Sequence, residues 1–295
     1  MKQYSFAIIT LNWNGYQDTV DCVDSIIRTN YSNCDIFCLD NGSENNEYVR
    51  LRNTFKRNKN VRILNSKTNL GFAGGNNYVN SRIKKEKYDF IILLNNDTIV
   101  KNNFFSEINF GVKSITMGKI GFIVPTIYYF NKKLNEERIW RANDYGKRSN
   151  AITMISHPVG CVMVVPSEVL EKYGLFKEEF FAYGEEVEYS YRLKKAGLDI
   201  YYFPDLIVWH KIIEHKDSQF KIYMVARNKW YYWESMKIYD KLLYLPYLIL
   251  VYNLKKIFEY GFDIKRIKTF FKGNIDGLTW IIKNKKPKNI FLKNE

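Results

Sequence analysis

Tyr88-Asp89-Phe90-Ile91-Ile92-Leu93-Leu94-Asn95-Asn96-Asp97-Thr98 is an apolar run that stops abruptly at two amides and a carboxylate. Five consecutive apolar residues, Phe90 to Leu94, fit a strand buried on both faces, as in the middle of a parallel sheet. Asp97 then falls at the carboxyl end of that strand. In open α/β sheets this is the edge where diverging loops leave a crevice for ligands. A carboxylate there can hold Mg²⁺ or Mn²⁺, which binds through one or two carboxylates plus substrate phosphates. Asn95, Asn96 and Asp97 can equally well turn the chain and cap the next helix. The stretch alone leaves both readings open.

Upstream, Phe6 to Leu11 reads as a first buried strand with Asn12-Trp13-Asn14-Gly15 as the turn at its end. Asp18 to Thr29 follows with Val20, Val23, Ile26 and Ile27 at helical spacing. A second strand, Asp35 to Leu39, ends in Asp40-Asn41-Gly42-Ser43. A carboxylate in that position commonly bonds a ribose or base, and an Asx turn explains it as well. After a short third strand, Val61 to Leu64, comes Asn69-Leu70-Gly71-Phe72-Ala73-Gly74-Gly75-Asn76-Asn77. Its glycines let backbone approach a ligand, ahead of a helix expected to begin near Asn76. The run is neither GxGxxG nor a P-loop, which excludes a plain nucleotide triphosphatase. A helix around Asn103 to Met117 and a strand from Ile120 to Val124 complete an alternating β/α first half.

Residues 125–157 lose period and gain charge, as in an excursion or hairpin that overlies the site. Pro158 to Val165 is a further strand, and Pro166-Ser167 opens a short helix through Tyr173 with Ser167 as its cap. Glu185 and Glu186 occupy the first turn of a helix continued by Val187, Tyr191 and Leu193. The helix dipole favours acids there, while aromatic neighbours and a second carboxylate raise a pKa as a general base requires. Asp199 to Phe203 reads as an edge strand and Pro204 to His210 as another, with His210 at its end. Lys216 to Met236 is helical and carries Arg227-Asn228-Lys229 beside an aromatic cluster.

The 295 residues suffice for one large α/β domain plus an appendage. A net charge of +14 suggests an anionic partner, whether nucleic acid, a phosphorylated ligand or a membrane surface. Cys22, Cys34, Cys38 and Cys161 have no zinc spacing and read as reduced thiols of a cytoplasmic protein without a structural metal. The first residues lack the pattern of an export signal, and no 18-residue uncharged run suggests a membrane span.

In this order the pieces resemble the inverting family 2 glycosyltransferases of GT-A fold, and within them the bacterial rhamnosyltransferase-like group. The matching stretches are Ile8 to Asn14, Leu39 to Ser43, Asn69 to Asn77, Leu93 to Thr98, Gly174 to Gly197, and Arg227-Asn228, together spanning roughly residues 5 to 235. The resemblance implies a mixed, mostly parallel sheet flanked by helices over residues 1–236, with a helical extension over 237–295. Residues 1–124 would bind the nucleotide sugar and 125–236 the acceptor. Thr10 and Asn12 would line the base pocket and Asp40 recognise uracil or thymine. Asn69 and Gly71 would lie along the nucleotide, and Asn96 near the ribose or diphosphate. Asn95-Asn96-Asp97 replaces the family's DxD-type motif, leaving Asp97 to hold Mg²⁺ or Mn²⁺ with His210 as second ligand and Arg227 on the diphosphate. Glu185-Glu186 replaces Glu-Asp, so Glu186 is the expected base and Glu185 its alternate. The donor expected is dTDP-rhamnose, then a UDP-sugar, with a glycan or lipid-linked acceptor in cell-surface polysaccharide synthesis. Trp140 and the aromatic residues of 180–183 could stack on sugars.

After Tyr239 the resemblance fades. Leu242 to Tyr252 is strongly apolar around Pro246, and beyond it lysines interleave with Phe258, Phe270, Phe271 and Trp280. Such a tail fits interfacial helices on an anionic membrane at the inner cytoplasmic face, a cap on the domain, or a homodimer contact. A nucleic-acid partner is disfavoured because the basic residues concentrate in the tail while acids sit at strand ends. An inactive nucleotide-sugar or glycan binder remains the alternative, kept open by the reduced Asn95-Asn96-Asp97 motif.

Overall fold

The computed structural model describes residues 3–115, 117–130, 138–139, 151–156, 160–211, 218–261 and 263–283. Most of the expected hairpin over 125–157, and Trp140 with it, lies outside them. The chain divides into two units, Met1–Glu178 with Arg192–Ile213, and Glu179–Tyr191 with Glu214–Glu295.

The first unit runs β1 (Phe6–Asn12), α1 (Tyr16–Ile27), β2 (Cys34–Asn41), α2 (Glu47–Phe55), β3 (Val61–Ser66), α3 (Gly71–Asn80), β4 (Phe90–Leu94) and β5 (Thr98–Val100). It continues through α4 (Phe104–Lys113), β6 (Ile120–Phe130), β7 (Arg138–Ile139), β8 (Thr153–Met154), β9 (Val162–Pro166) and α5 (Ser167–Tyr173). Helix α6 (Glu185–Lys195) begins in the second unit, and β10 (Asp199–Lys211) closes the first. One sheet takes the order β3-β2-β1-β4-β9-β6-β10-β5, with β7 beside β6 and β8 beside β10. β1 runs parallel to β2 and β4, β2 to β3, and β6 to β10; β9 is antiparallel to β4 and β6, and β5 to β10.

All five residues of β4 are buried, the outcome expected of an unbroken apolar run flanked by β1 and β9. Alternate side chains of β1, β2 and β4, including Ile8, Ile36 and Ile92, meet Cys22, Val23 and Ile26 of α1 in the main core. The four cysteines are buried free thiols. Burial raises the pKa of each, that of Cys22 to about 12, which keeps them protonated and poorly nucleophilic.

Three local readings need correction. Helix α3 starts at Gly71, not near Asn76, so Gly74 and Gly75 lie inside it. The glycine at 75 serves helix-to-sheet packing, because a Cβ there would fall 2.8 Å from the Leu11 side chain. The two strands read between Asp199 and His210 are one. Its register shifts between Phe203 and Ile207, around Pro204, and it lies between β6 and β5 rather than at an edge. Ser167 starts α5 without a side-chain cap.

The second unit holds the start of α6, α7 (Gln219–Ser235), α8 (Ile238–Pro246), a π-helical turn over Tyr247–Tyr252, α9 (Asn253–Glu259) and α10 (Ile264–Lys283). Ser218 caps α7 by accepting from the Lys221 amide. Helix α7 and the tail fall in the same unit. Gly273 and Gly277 permit this, since a Cβ at either would fall within 2.6 Å of the Tyr223 or Arg227 carbonyl oxygen.

Candidate functional site

In the first unit the expected donor residues gather where β1, β2 and β4 end. Asn12 is fully buried. Its Nδ2 donates to Asp40 Oδ1 (2.8 Å), Ser43 Oγ (3.0 Å) and Glu47 Oε2 (2.9 Å). Its Oδ1 accepts from Thr19 Oγ1 (2.7 Å), which in turn accepts from Asn96 Nδ2 (2.9 Å). Asn96 is thus tied through Thr19 and Asn12 to Asp40. Thr10 is buried as well, and so is Asp40, which Asn12 orients.

Asn69 and Gly71 lie in a neighbouring network. Asn69 Oδ1 accepts from the Gly71 amide (2.8 Å) and Asn41 Nδ2 (3.2 Å), while Asn41 Oδ1 accepts from the Leu70 amide (3.0 Å). Gly71 has φ +72° and Gly42 φ +76°. A Cβ at Gly42 would meet the Thr68 backbone at 2.5 Å, which ties the β2 turn closely to the segment entering α3.

Asn95 turns the chain out of β4, its carbonyl accepting from Thr98 Oγ1 (2.6 Å). The antiparallel pairing of β5 with β10 sets Thr98 opposite His210 and brings His210 Nε2 within 3.4 Å of Asp97 Oδ1. Burial raises the Asp97 carboxyl above its ordinary range, an effect that His210 partly offsets. Asp97 Oδ1 is buried and has no hydrogen-bond donor. A hard oxygen beside an imidazole nitrogen fits a divalent cation that shares its shell with a diphosphate. Among the described residues no three His, Cys, Asp or Glu group in a way that could hold a metal ion by themselves.

Sequence reading missed the support behind this pair. Lys211 donates its amide to the Asp97 carbonyl (2.8 Å) and its Nζ to Asp18 Oδ1 and Asp21 Oδ2, both at 2.7 Å. The acids sit three apart on α1, the one local hint available, but their partner is 193 residues from Asp18.

The second unit brings Glu185, Glu186 and Arg227 together. Phe181 (φ +62°), Tyr183 (φ +67°) and Gly184 (φ +96°) lead into α6 through left-handed backbone, a costly conformation for the two aromatic residues. Asn228 holds that turn: its Nδ2 faces the carbonyls of Phe180 (2.9 Å), Ala182 (2.8 Å) and Tyr183 (2.6 Å). Arg227 Nη2 donates to the carbonyls of Glu179 (3.1 Å) and Phe180 (2.8 Å), and its Nε to Asn228 Oδ1 (2.8 Å). Buried and so engaged, Arg227 clamps this loop.

The two carboxylates differ. Glu185 is buried, and its Oε2 has no hydrogen-bond donor. Burial, then the charge of Glu186, pushes its carboxyl well above the ordinary range. Glu186 is half-buried and accepts from the Gly184 amide (3.1 Å); burial raises its carboxyl too, opposed by hydrogen bonds from that amide and its own. Glu186 is the more accessible group.

The family model described as "Glycosyltransferase like family 2" matches residues 4–232. The chain belongs to this glycosyltransferase family. The low-salt glycan biosynthesis hexosyltransferase Agl10 of Haloferax volcanii is 24% identical over 210 residues, covering 65% of this chain and 66% of the relative. Among solved structures, GalNAc-T7 with UDP, GalNAc and Mn²⁺ superposes with TM-score 0.63 at 16% identity, over 96% of this chain and 56% of that one. S. aureus TarS gives TM-score 0.64 at 10% identity, over 94% of this chain and 80% of its own. In complex with UDP-GlcNAc the same protein gives 0.62 at 11% identity, over 91% and 81%. The GT-A fold expected for this family 2 glycosyltransferase is thereby established.

Glu185 gives the protein a pH signature. A carboxyl raised on folding binds its proton more tightly in the folded state, so its contribution favours folding most below pH 4.5. That contribution is lost as pH rises through the folded-state value. Glu185→Gln keeps the shape and removes the charge. It is expected to raise Tm at pH 7, by roughly 2–4 °C per kcal/mol relieved, with the gain vanishing as pH falls towards 4.5. Differential scanning calorimetry across pH reads both.

Proposed function

We propose that this family 2 glycosyltransferase moves a hexose from a nucleotide-diphosphate donor to a glycan or lipid-linked acceptor, with inversion, in making a cell-surface glycan at the inner face of the cytoplasmic membrane. The carrying observation is the Asp97–His210 pair at the end of β4, with Asp97 Oδ1 free of hydrogen-bond donors. A UDP-hexose is put first, on the UDP-bound neighbours, and dTDP-rhamnose second, on the resemblance to the rhamnosyltransferase-like group.

In this reading Asp97 and His210 hold Mn²⁺ or Mg²⁺, which when bound would neutralise charge developing on the leaving diphosphate. Lys211, fastened to Asp18 and Asp21, keeps the end of β10 in register so that His210 stays beside Asp97. Asp40, oriented by Asn12, accepts from the base, and Asn96 bonds the ribose or diphosphate. Glu186 takes the proton of the attacking acceptor hydroxyl; a carboxyl raised by burial is a stronger base than an ordinary glutamate. A single displacement then inverts the anomeric centre, as with the base half of an inverting glycosidase.

The test is release of nucleoside diphosphate from UDP-GlcNAc, UDP-glucose, UDP-galactose and dTDP-rhamnose with Mn²⁺, with and without chelator. Turnover of one donor that stops on chelation supports the reading. Metal-independent release, or none from any donor with a range of glycan and polyprenyl acceptors, contradicts it.

A further inference from the structure

We infer that the outward faces of α8, α9 and α10 form a docking surface for an anionic lipid bilayer. Helix α10 carries apolar side chains on both sides. The side turned to α7 mixes them with small and polar residues: Phe270 packs with Ile222 and Ala226, Gly273 and Gly277 abut backbone, Asn274 Oδ1 accepts from Trp230 Nε1 (2.9 Å), and Asp276 Oδ2 accepts from Tyr223 Oη (2.8 Å). The side turned outward is apolar: Ile264, Phe271, Ile275, Leu278 and Ile282 recur at steps of seven, four, three and four. Ile282 is 79% exposed. A second stripe follows the α8–α9 run, where Tyr239, Leu242, Leu243, Leu250, Leu254 and Phe258 are all exposed. Large apolar side chains left exposed in such number mark an interaction surface.

Charge selects the cover. Residues 237–295 carry 13 lysines and arginines against five acids, the larger part of the chain's +14. Lys255, Lys265 and Lys268 are exposed among the apolar side chains. A second copy of the same surface would set these cations against their like, whereas anionic headgroups pair with them while the apolar side chains enter the acyl boundary. No described helix is long and apolar enough to cross a membrane, which suits helices lying in the interface. The surface deepens the lipid-linked-acceptor reading and rests on it for its purpose, but not for its chemistry.

The experiment is co-sedimentation of the full chain with vesicles of phosphatidylcholine alone and of equal parts phosphatidylcholine and phosphatidylglycerol, without donor, acceptor or metal. Failure here therefore leaves sugar transfer untouched, and failure of transfer leaves this result standing. Expected is salt-sensitive binding to the anionic vesicles, roughly tenfold or more above the neutral ones, with each of Lys265→Gln and Lys268→Gln weakening it about fivefold. The double change Ile275→Glu, Ile282→Glu abolishes binding at unchanged Tm, and Phe258→Ser in α9 weakens it should the double variant misfold. Absence of vesicle binding overturns the inference, as does equal affinity for both vesicles. A dimer in solution that the Ile275→Glu, Ile282→Glu variant dissolves, in a protein that ignores vesicles, also overturns it and assigns the surface to self-association.

Discussion

Glu186→Gln is expected to lower kcat by about 10²–10⁴-fold, the range for loss of a general base, with donor KM nearly unchanged. The substitution keeps an acceptor oxygen for the Gly184 amide, so the turn into α6 persists and the loss reports proton transfer. Glu185→Gln serves as control: buried Glu185 changes Tm with pH and leaves kcat within a few-fold. The pH profile adds a sign. A base must be deprotonated, so kcat rises with pH, and because burial raises the Glu186 carboxyl the acidic limb lies above pH 4.5. If Glu185→Gln abolishes turnover and Glu186→Gln does not, the assignment reverses.

Asp97→Asn is expected to remove metal-stimulated turnover, a loss of about 10³-fold if the ion supplies the several kcal/mol typical of charge stabilisation on a leaving group. The variant is nearly isosteric and should fold at least as well, since burial already disfavours the charged carboxyl. The readout is nucleoside diphosphate release against Mn²⁺ concentration. His210→Ala should weaken the metal dependence less, because the carboxylate remains. Full metal-stimulated activity in Asp97→Asn would remove the ion from this site.

The placement of Asp97 was legible because its evidence is local. Five buried residues in a row specify an interior strand, and the next polar residues must sit at its end. Glu185 and Glu186 were legible for the same reason, as acids at a helix start. Errors arose where one residue type serves two ends. Gly74 and Gly75 suggested a ligand turn, yet Gly75 is small so that α3 can meet Leu11. Pro204 suggested a strand break, yet it sits where the register of β10 shifts and the strand continues. The bond from Lys211 to Asp18 and Asp21 was beyond local reading, because only the sheet order brings the end of β10 near α1. Which face of α10 packs on α7 was beyond local reading too, since periodicity tells that a helix has two faces but not which one is buried.

The most direct measurement is calorimetric titration of UDP-GlcNAc, other UDP-hexoses and dTDP-rhamnose into the wild-type chain and Asp97→Asn, each with Mn²⁺ and then with chelator. The account predicts that one nucleotide class binds wild type in the presence of Mn²⁺, and that chelation and Asp97→Asn each weaken that binding severely. Equal binding with and without metal, or no binding of any nucleotide sugar to the wild type, would contradict it.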